Sequence, residues 1–210
     1  MHWRPVSLAL AASAVFVTAG AAEAPLPLRA TAMLEGYFRA GSTIPDDEAL
    51  GGAAGSINVP AKLDREVPSD ALSLVALPGE AALFSATVAG FRVILANSTS
   101  QVLAFPAADS RLSIVREAMD VDGTWKAVER LPWSFCGNSY HRVFLPPNHY
   151  WSFVAPVYDG PLAAEMRFVL YRGQDPPLYS NQFSGFVSPE QFVPSPDPYA
   201  EIPTVPARNF

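Results

Sequence analysis

The sequence predicts an all-β protein: two antiparallel sheets facing each other across one core, built from about seven to nine strands. Three observations carry this expectation. From Ala71 onward, short apolar runs rich in β-branched and aromatic residues recur at near-regular spacing. Turn formers punctuate every gap, and no stretch between the runs has helical periodicity. The stretch from Trp125 to Pro156 holds the only cysteine, three of the four tryptophans and two of the three histidines, so it is expected to supply much of the core.

The chain opens on Met1 to Arg4, an apolar run from Val6 to Thr18 and small residues ending in Ala22, Glu23 and Ala24, the three-part form of a secretory signal peptide. Residues 1–24 are therefore expected to be removed, with cleavage after Ala24 or Ala22. The apolar run is well short of the roughly 20 residues that span a bilayer. No cysteine follows it to carry a lipid. The mature chain is thus expected to be exported, periplasmic or extracellular, with no integral membrane segment. Residues 25–70, rich in Ala, Gly and Pro, read as an irregular arm lying on the domain, with a short strand-like run at Thr31 to Arg39. Asp46, Asp47 and Glu48 in that arm read as a solvated loop.

Residues 71–192 form the predicted sandwich domain. Strands are expected at Leu72 to Leu77, Val88 to Asn97, Val102 to Phe105, Leu112 to Ala118, Thr124 to Leu131 and Glu165 to Tyr171. In the second, Phe91, Val93 and Leu95 alternate with Arg92, as in a half-buried strand. Asn97, Ser98 and Thr99 form an Asn-linked glycosylation sequon in a turn. Asp122-Gly123 has the form of a tight hairpin turn; with Val121 facing Thr124, Arg116 falls opposite Glu129 as a cross-strand ion pair. Tyr140 to Leu145 and His149 to Val154, separated by Pro146, Pro147 and Asn148, read as a hairpin placing Val143, Leu145, Trp151 and Phe153 on one face. A last strand-like piece runs from Leu178 to Val187, where Gly185 marks a bulge or a close approach. Residues 193–210 read as a Pro-rich extended tail.

A net charge of −6 without clustered Lys and Arg argues against a nucleic-acid partner. One cysteine cannot form an internal disulfide, so Cys136 reads as a buried small side chain. The sharpest enzymatic alternative is a cysteine-dependent hydrolase using Cys136 with His141 or His149. A metal site from the same three residues is disfavoured, because the expected hairpin separates the histidines by on the order of 13 Å. Asp120, Asp122 and Gly123 lack the further acids of a calcium loop. No GxSxG, GxGxxG or HExxH occurs, and no cofactor is expected. Trp125, Trp133, Tyr150, Trp151 and Tyr158 suffice for an aromatic binding platform, of which Trp133, Tyr150 and Tyr158 are the candidate binding residues. For Trp151, core packing is the favoured role.

The run CGNSYH from Cys136, with paired strands after it and SNQFSGFV from Ser180, resembles exported bacterial proteins of unknown function that carry an immunoglobulin-like sandwich. The likeness spans roughly residues 71–192. It implies a fold and a compartment and no site residue. The expected function is a binding or interaction module with a protein or carbohydrate ligand; the alternatives are the hydrolase and a structural or assembly subunit that uses an open sheet edge.

Overall fold

A computed structural model of the chain describes residues 24–193. Apart from Ala24 and Val193, the predicted leader and Pro-rich tail lie outside the described residues. The chain is mostly β, in several antiparallel sheets of which none closes, and no α-helix occurs among the described residues. Arm strands are β1 (Leu28–Arg29), β2 (Leu34–Glu35) and β3 (Ala61–Lys62). There follow β4 (Leu72–Leu83), β5 (Ala89–Asn97), β6 (Leu103–Ala108), β7 (Arg111–Leu112), β8 (Ile114–Met119), β9 (Trp125–Ala127) and β10 (Glu129–Arg130). The last group is β11 (Tyr140–Leu145), β12 (His149–Pro156), β13 (Tyr158–Asp159), β14 (Leu162–Arg172), β15 (Asp175–Tyr179) and β16 (Phe183–Val187).

One sheet runs β3-β12-β5-β4; a second runs β15-β14-β8-β9, with β16 also on β14; a third runs β11-β6-β7. Alternation along each strand delivers one face to a common interior. Val93, Leu95, Trp151 and Phe153 enter it from the first sheet, Ile114, Met166, Phe168 and Leu170 from the second, and Phe105, Val143 and Leu145 from the third. This arrangement is consistent with a sandwich.

The expected pairing of Tyr140–Leu145 with His149–Val154 is not formed. β11 pairs β6, with Val143 opposite Phe105, whereas β12 pairs β5, with Trp151 opposite Leu95. The intervening Pro146-Pro147-Asn148 carries the chain from one sheet to another. Asn97 holds that crossing: its Nδ2 donates to the carbonyls of Leu145 and Pro146 at 3.0 and 3.1 Å. The facing nonetheless follows the alternation, since Val143, Leu145, Trp151 and Phe153 are all buried. Because Asn97 is itself fully buried and its amide is engaged, the sequon cannot be modified in the folded chain.

The β8–β9 register also differs by one residue. Asp120 pairs with Thr124 through the Asp120 amide and the Thr124 carbonyl at 3.0 Å, enclosing a three-residue loop in which Gly123 alone has positive φ (+76°). A two-residue turn of the expected kind requires positive φ at Asp122 as well; the three-residue loop ending in a left-handed Gly needs it only at Gly123. Met119 therefore faces Trp125, and Arg116 faces Val128 rather than Glu129.

Arg116 and Glu129 still meet, inside the core. Arg116 is 1% exposed, its Nε 3.3 Å from Glu129 Oε1, and its Nη2 donates to the Pro156 carbonyl at 2.9 Å. Tyr37 and Tyr158 hydroxyls each donate to Glu129 Oε1 at 2.7 Å. The guanidinium lies 4.3 Å from the Tyr158 ring and 5.1 Å from that of Phe168, a cation–π environment. Burial opposes the charge on Arg116 most strongly of any single cause, but the Glu129 carboxylate together with Tyr37 and Tyr158 outweighs it, and the guanidinium pKa is raised. Burial, then the Glu129 charge, pushes both phenols well above their ordinary value, so they remain donors.

The arm is part of this architecture. Phe38 and Ala40 are buried in the core, and Trp151 Nε1 donates to the Gly41 carbonyl at 2.8 Å. Side chains also blunt the sheet edges. The outward amides of β11 donate to the arm, Arg142 N to Asp46 Oδ2 at 2.7 Å and Phe144 N to Ser42 Oγ at 3.2 Å. Asp46, read from sequence as part of a solvated loop, is thus a clamp. On β4, Asn181 takes both backbone groups of Ala76, at 2.9 and 3.1 Å. β15 contains Pro176 and Pro177, which have no amide to offer a further strand.

Candidate ligand-binding face

Cys136, expected to be buried, is exposed. The loop before β11 turns outward there, and Cys136 precedes a 3₁₀ turn, Gly137–Ser139, whose last amide donates to the Cys136 carbonyl at 3.0 Å. His141 does not face the thiol through either ring nitrogen. Its Nδ1 is 3.1 Å from the Ser139 carbonyl and its Nε2 3.4 Å from Ser110 Oγ. A nitrogen facing a carbonyl carries the proton, which leaves Nε2 as an acceptor in the neutral ring. Ser110 is nevertheless committed elsewhere, donating to the Ala54 carbonyl at 2.8 Å and pinning the arm. His149 lies in a different sheet, with Nδ1 2.7 Å from the Pro147 carbonyl. No group of three or more His, Cys, Asp or Glu that could hold a metal ion occurs among the described residues.

The three candidate binding residues do not converge. Trp133 is half-buried in the loop before β11, its ring edge-on to Phe135 with centroids 6.1 Å apart. Tyr150 is half-buried on β12, beneath the Arg65 guanidinium at 5.9 Å. Tyr158 is 3% exposed and belongs to the Arg116–Glu129 cluster, so it contributes to the core and not to an open platform. Asp120, which the sequence places beside a calcium-like turn, accepts from the amides of Asp122 and Thr124 and pairs with Lys126.

An aromatic surface does form, on the outer face of the β15-β14-β8-β9 sheet. On β14, Met166, Phe168 and Leu170 point into the core, so alternation turns Glu165, Arg167, Val169 and Tyr171 outward. Register sets Arg167 opposite Glu117, Val169 opposite Val115 and Tyr179, and Met119 opposite Trp125. The Arg167 guanidinium carbon lies 4.2 Å from the Trp125 ring centroid and 4.1 Å from that of Tyr179. Its Nε donates to Glu117 Oε2 at 2.8 Å.

This Trp–Arg–Tyr stack has an inner and an outer consequence. Inward, it covers Val115 and Val169, which are buried although they lie on the sheet's outer side. Outward, Tyr171 and Tyr179 remain 37% and 47% exposed. The terminal nitrogens of Arg167 have no hydrogen-bond acceptor among the described residues and are not buried, so they face solvent. Beside them Glu165 Oε1 accepts from Ser184 Oγ at 2.6 Å. Burial, followed by the nearby Glu117 carboxylate and Tyr179, raises the Tyr171 phenol, with Arg167 opposing, so that hydroxyl is a protonated donor at neutral pH.

Of these residues, only Trp125 was picked out by sequence reasoning. Arg167, Tyr171, Tyr179 and Glu117 come from three strands and become neighbours only through register. The available signal was the alternation of Glu165, Arg167 and Tyr171 within a run whose other residues are apolar. No helix among the described residues is long and apolar enough to cross a membrane. Comparison with known proteins found no family model, no curated protein and no solved structure that matches this chain.

Proposed function

We propose that this protein is an exported, immunoglobulin-like sandwich that works as a binding module, with the outer face of the β15-β14-β8-β9 sheet as its recognition surface. The observation that carries this reading is the Arg167 guanidinium, clamped between Trp125 and Tyr179 with its terminal N–H groups free. A long side chain held in one rotamer has already given up the entropy that a ligand would otherwise have to overcome. Blunted edges on β4, β11 and β15 favour a face over an edge, and so favour this reading over an assembly subunit built by strand addition. The leader pattern of residues 1–24 motivates export.

A photoreactive side chain at position 171 tests the recognition surface in the intact envelope, with position 57, fully exposed and remote in sequence, as control. A discrete adduct from position 171, competed by excess unlabelled protein, is the expected result. Equal capture from both positions, or none from either, removes the proposal. Export is tested by the N-terminal residue of the mature protein, expected at Pro25 or Glu23.

The cysteine hydrolase keeps one observation in its favour, the exposure of Cys136. It requires a thiolate activated by a nearby base, whereas both ring nitrogens of His141 and the Nδ1 of His149 face other partners and His149 lies in a different sheet. Labelling of the folded protein with iodoacetamide near neutral pH separates the two: modification at the rate of an ordinary solvent-exposed thiol is expected here, and a markedly faster reaction supports the enzyme.

A further inference from the structure

Resting on the binding role proposed above, we infer that this outer face takes a neutral carbohydrate chain. Three properties of the face select that ligand class. The first is the alternation of ring and polar group. Arg167, paired with Glu117, stands between Trp125 and Tyr179 over the covered Val115 and Val169, with Tyr171, Glu165 and Ser184 alongside. Trp, Tyr and Arg also occur at protein–protein interfaces, but carboxylates are depleted at the buried centre of one, so it is Glu117 and Glu165 that suit such a partner poorly. A sugar ring has the matching alternation, with C–H faces that pack on aromatic rings and hydroxyls along its rim.

The second property is the hydrogen-bonding inventory. The free Arg167 N–H groups donate, the Glu117 and Glu165 carboxylates accept, and the Tyr171 and Tyr179 hydroxyls do both. Each sugar hydroxyl also donates and accepts, so neighbouring hydroxyls can meet a guanidinium and a carboxylate at once.

The third is charge. Arg167 is already neutralised by Glu117, Glu165 adds a negative charge, and the whole chain carries −6. Phosphate, sulfate and uronate groups would meet repulsion, with no unpaired cation on this face among the described residues in compensation. Among carbohydrate chains this disfavours the anionic ones.

The test uses the full mature chain and names its probes: cellohexaose, laminarihexaose, xylohexaose and chitohexaose, with hexagalacturonate as the anionic control. Binding is read by titration calorimetry and by tryptophan fluorescence, to which Trp125 reports. Saturable binding of at least one neutral probe, with a Kd of about 1 mM or tighter, is expected. Tyr171→Ala and Arg167→Lys should each weaken it about tenfold or more. Lysine keeps the charge but loses the planar fork and its stack. Because Arg167 also covers Val115 and Val169, Glu165→Gln is the guard variant: it removes the exposed charge and turns one accepting oxygen into a donor without touching the stack, and should weaken binding several-fold with an unchanged melting temperature. Failure of all four neutral probes, preference for hexagalacturonate, or undiminished binding by the Tyr171→Ala and Glu165→Gln variants would each overturn the inference. If the probes fail while position 171 still crosslinks a protein, the carbohydrate assignment falls and the binding role stands; if both fail, both fall.

Discussion

Arg116 and Glu129 meet inside the core, with Arg116 Nε 3.3 Å from Glu129 Oε1 and both side chains buried. Their attraction was legible as two opposite charges flanking a turn. Their position was not, because a two-residue and a three-residue loop around Asp122-Gly123 differ by one step of register, and one step moves a side chain to the other face of the sheet. In the structure the pair is sealed among Tyr37, Tyr158, Phe91 and Phe168. Removing one partner of a buried pair leaves the other charge uncompensated, so Glu129→Gln should cost about 3–5 kcal/mol, measured by urea denaturation. Replacing both by apolar residues of similar volume should recover most of that loss. A cost for Glu129→Gln no larger than that of a surface substitution would show that the charge is not carried in the core.

At the scale of elements, alternation decided which face each strand buries, whereas pairing partners were settled elsewhere. β11 and β12 have the faces that period-two patterning implies, yet they pair with β6 and β5, since the pattern is identical for any neighbour that buries the same side. The edge of β11 depends on the arm through Asp46, whose carboxyl takes the Arg142 amide at 2.7 Å, Nε at 3.0 Å and Nη2 at 2.6 Å. Burial works to raise the pKa of this carboxyl, but the hydrogen bonds from the Arg142 side chain and amide outweigh it, and the group sits below the usual range. A depressed folded pKa contributes stability that is present above the unfolded value of about 3.9 and is lost as pH falls through the folded value. Asp46→Asn should therefore lower stability at neutral pH by on the order of 1–3 kcal/mol and flatten the acid limb of the stability–pH curve below about pH 4. Denaturant midpoints of the two proteins measured across that window check the sign; parallel acid limbs would contradict it.

For the whole molecule, the arm decides whether the sheets share one core. Phe38 packs edge-to-face on Phe153 from one sheet and on Phe168 from another, at centroid distances of 5.4 and 5.5 Å. An irregular, Ala- and Gly-rich segment thus supplies a ring at the centre of the interior. Phe38→Ala should cost about 3–5 kcal/mol in a denaturant or thermal melt, as for a core aromatic. A loss below about 1 kcal/mol would place the arm outside the cooperative unit.

By itself the sequence determined the all-β class, the shared facing of Val143, Leu145, Trp151 and Phe153, and the lack of a familiar catalytic motif. These are local properties, written in turn formers and in a period of two. Only the tertiary structure decided which strands pair, that Cys136 faces solvent, that Tyr158 lies beside a buried charge and that Arg167 is gripped by two rings. Each of these depends on segments far apart in the chain, and their meeting is set by register and loop geometry, which a single strand's pattern does not encode.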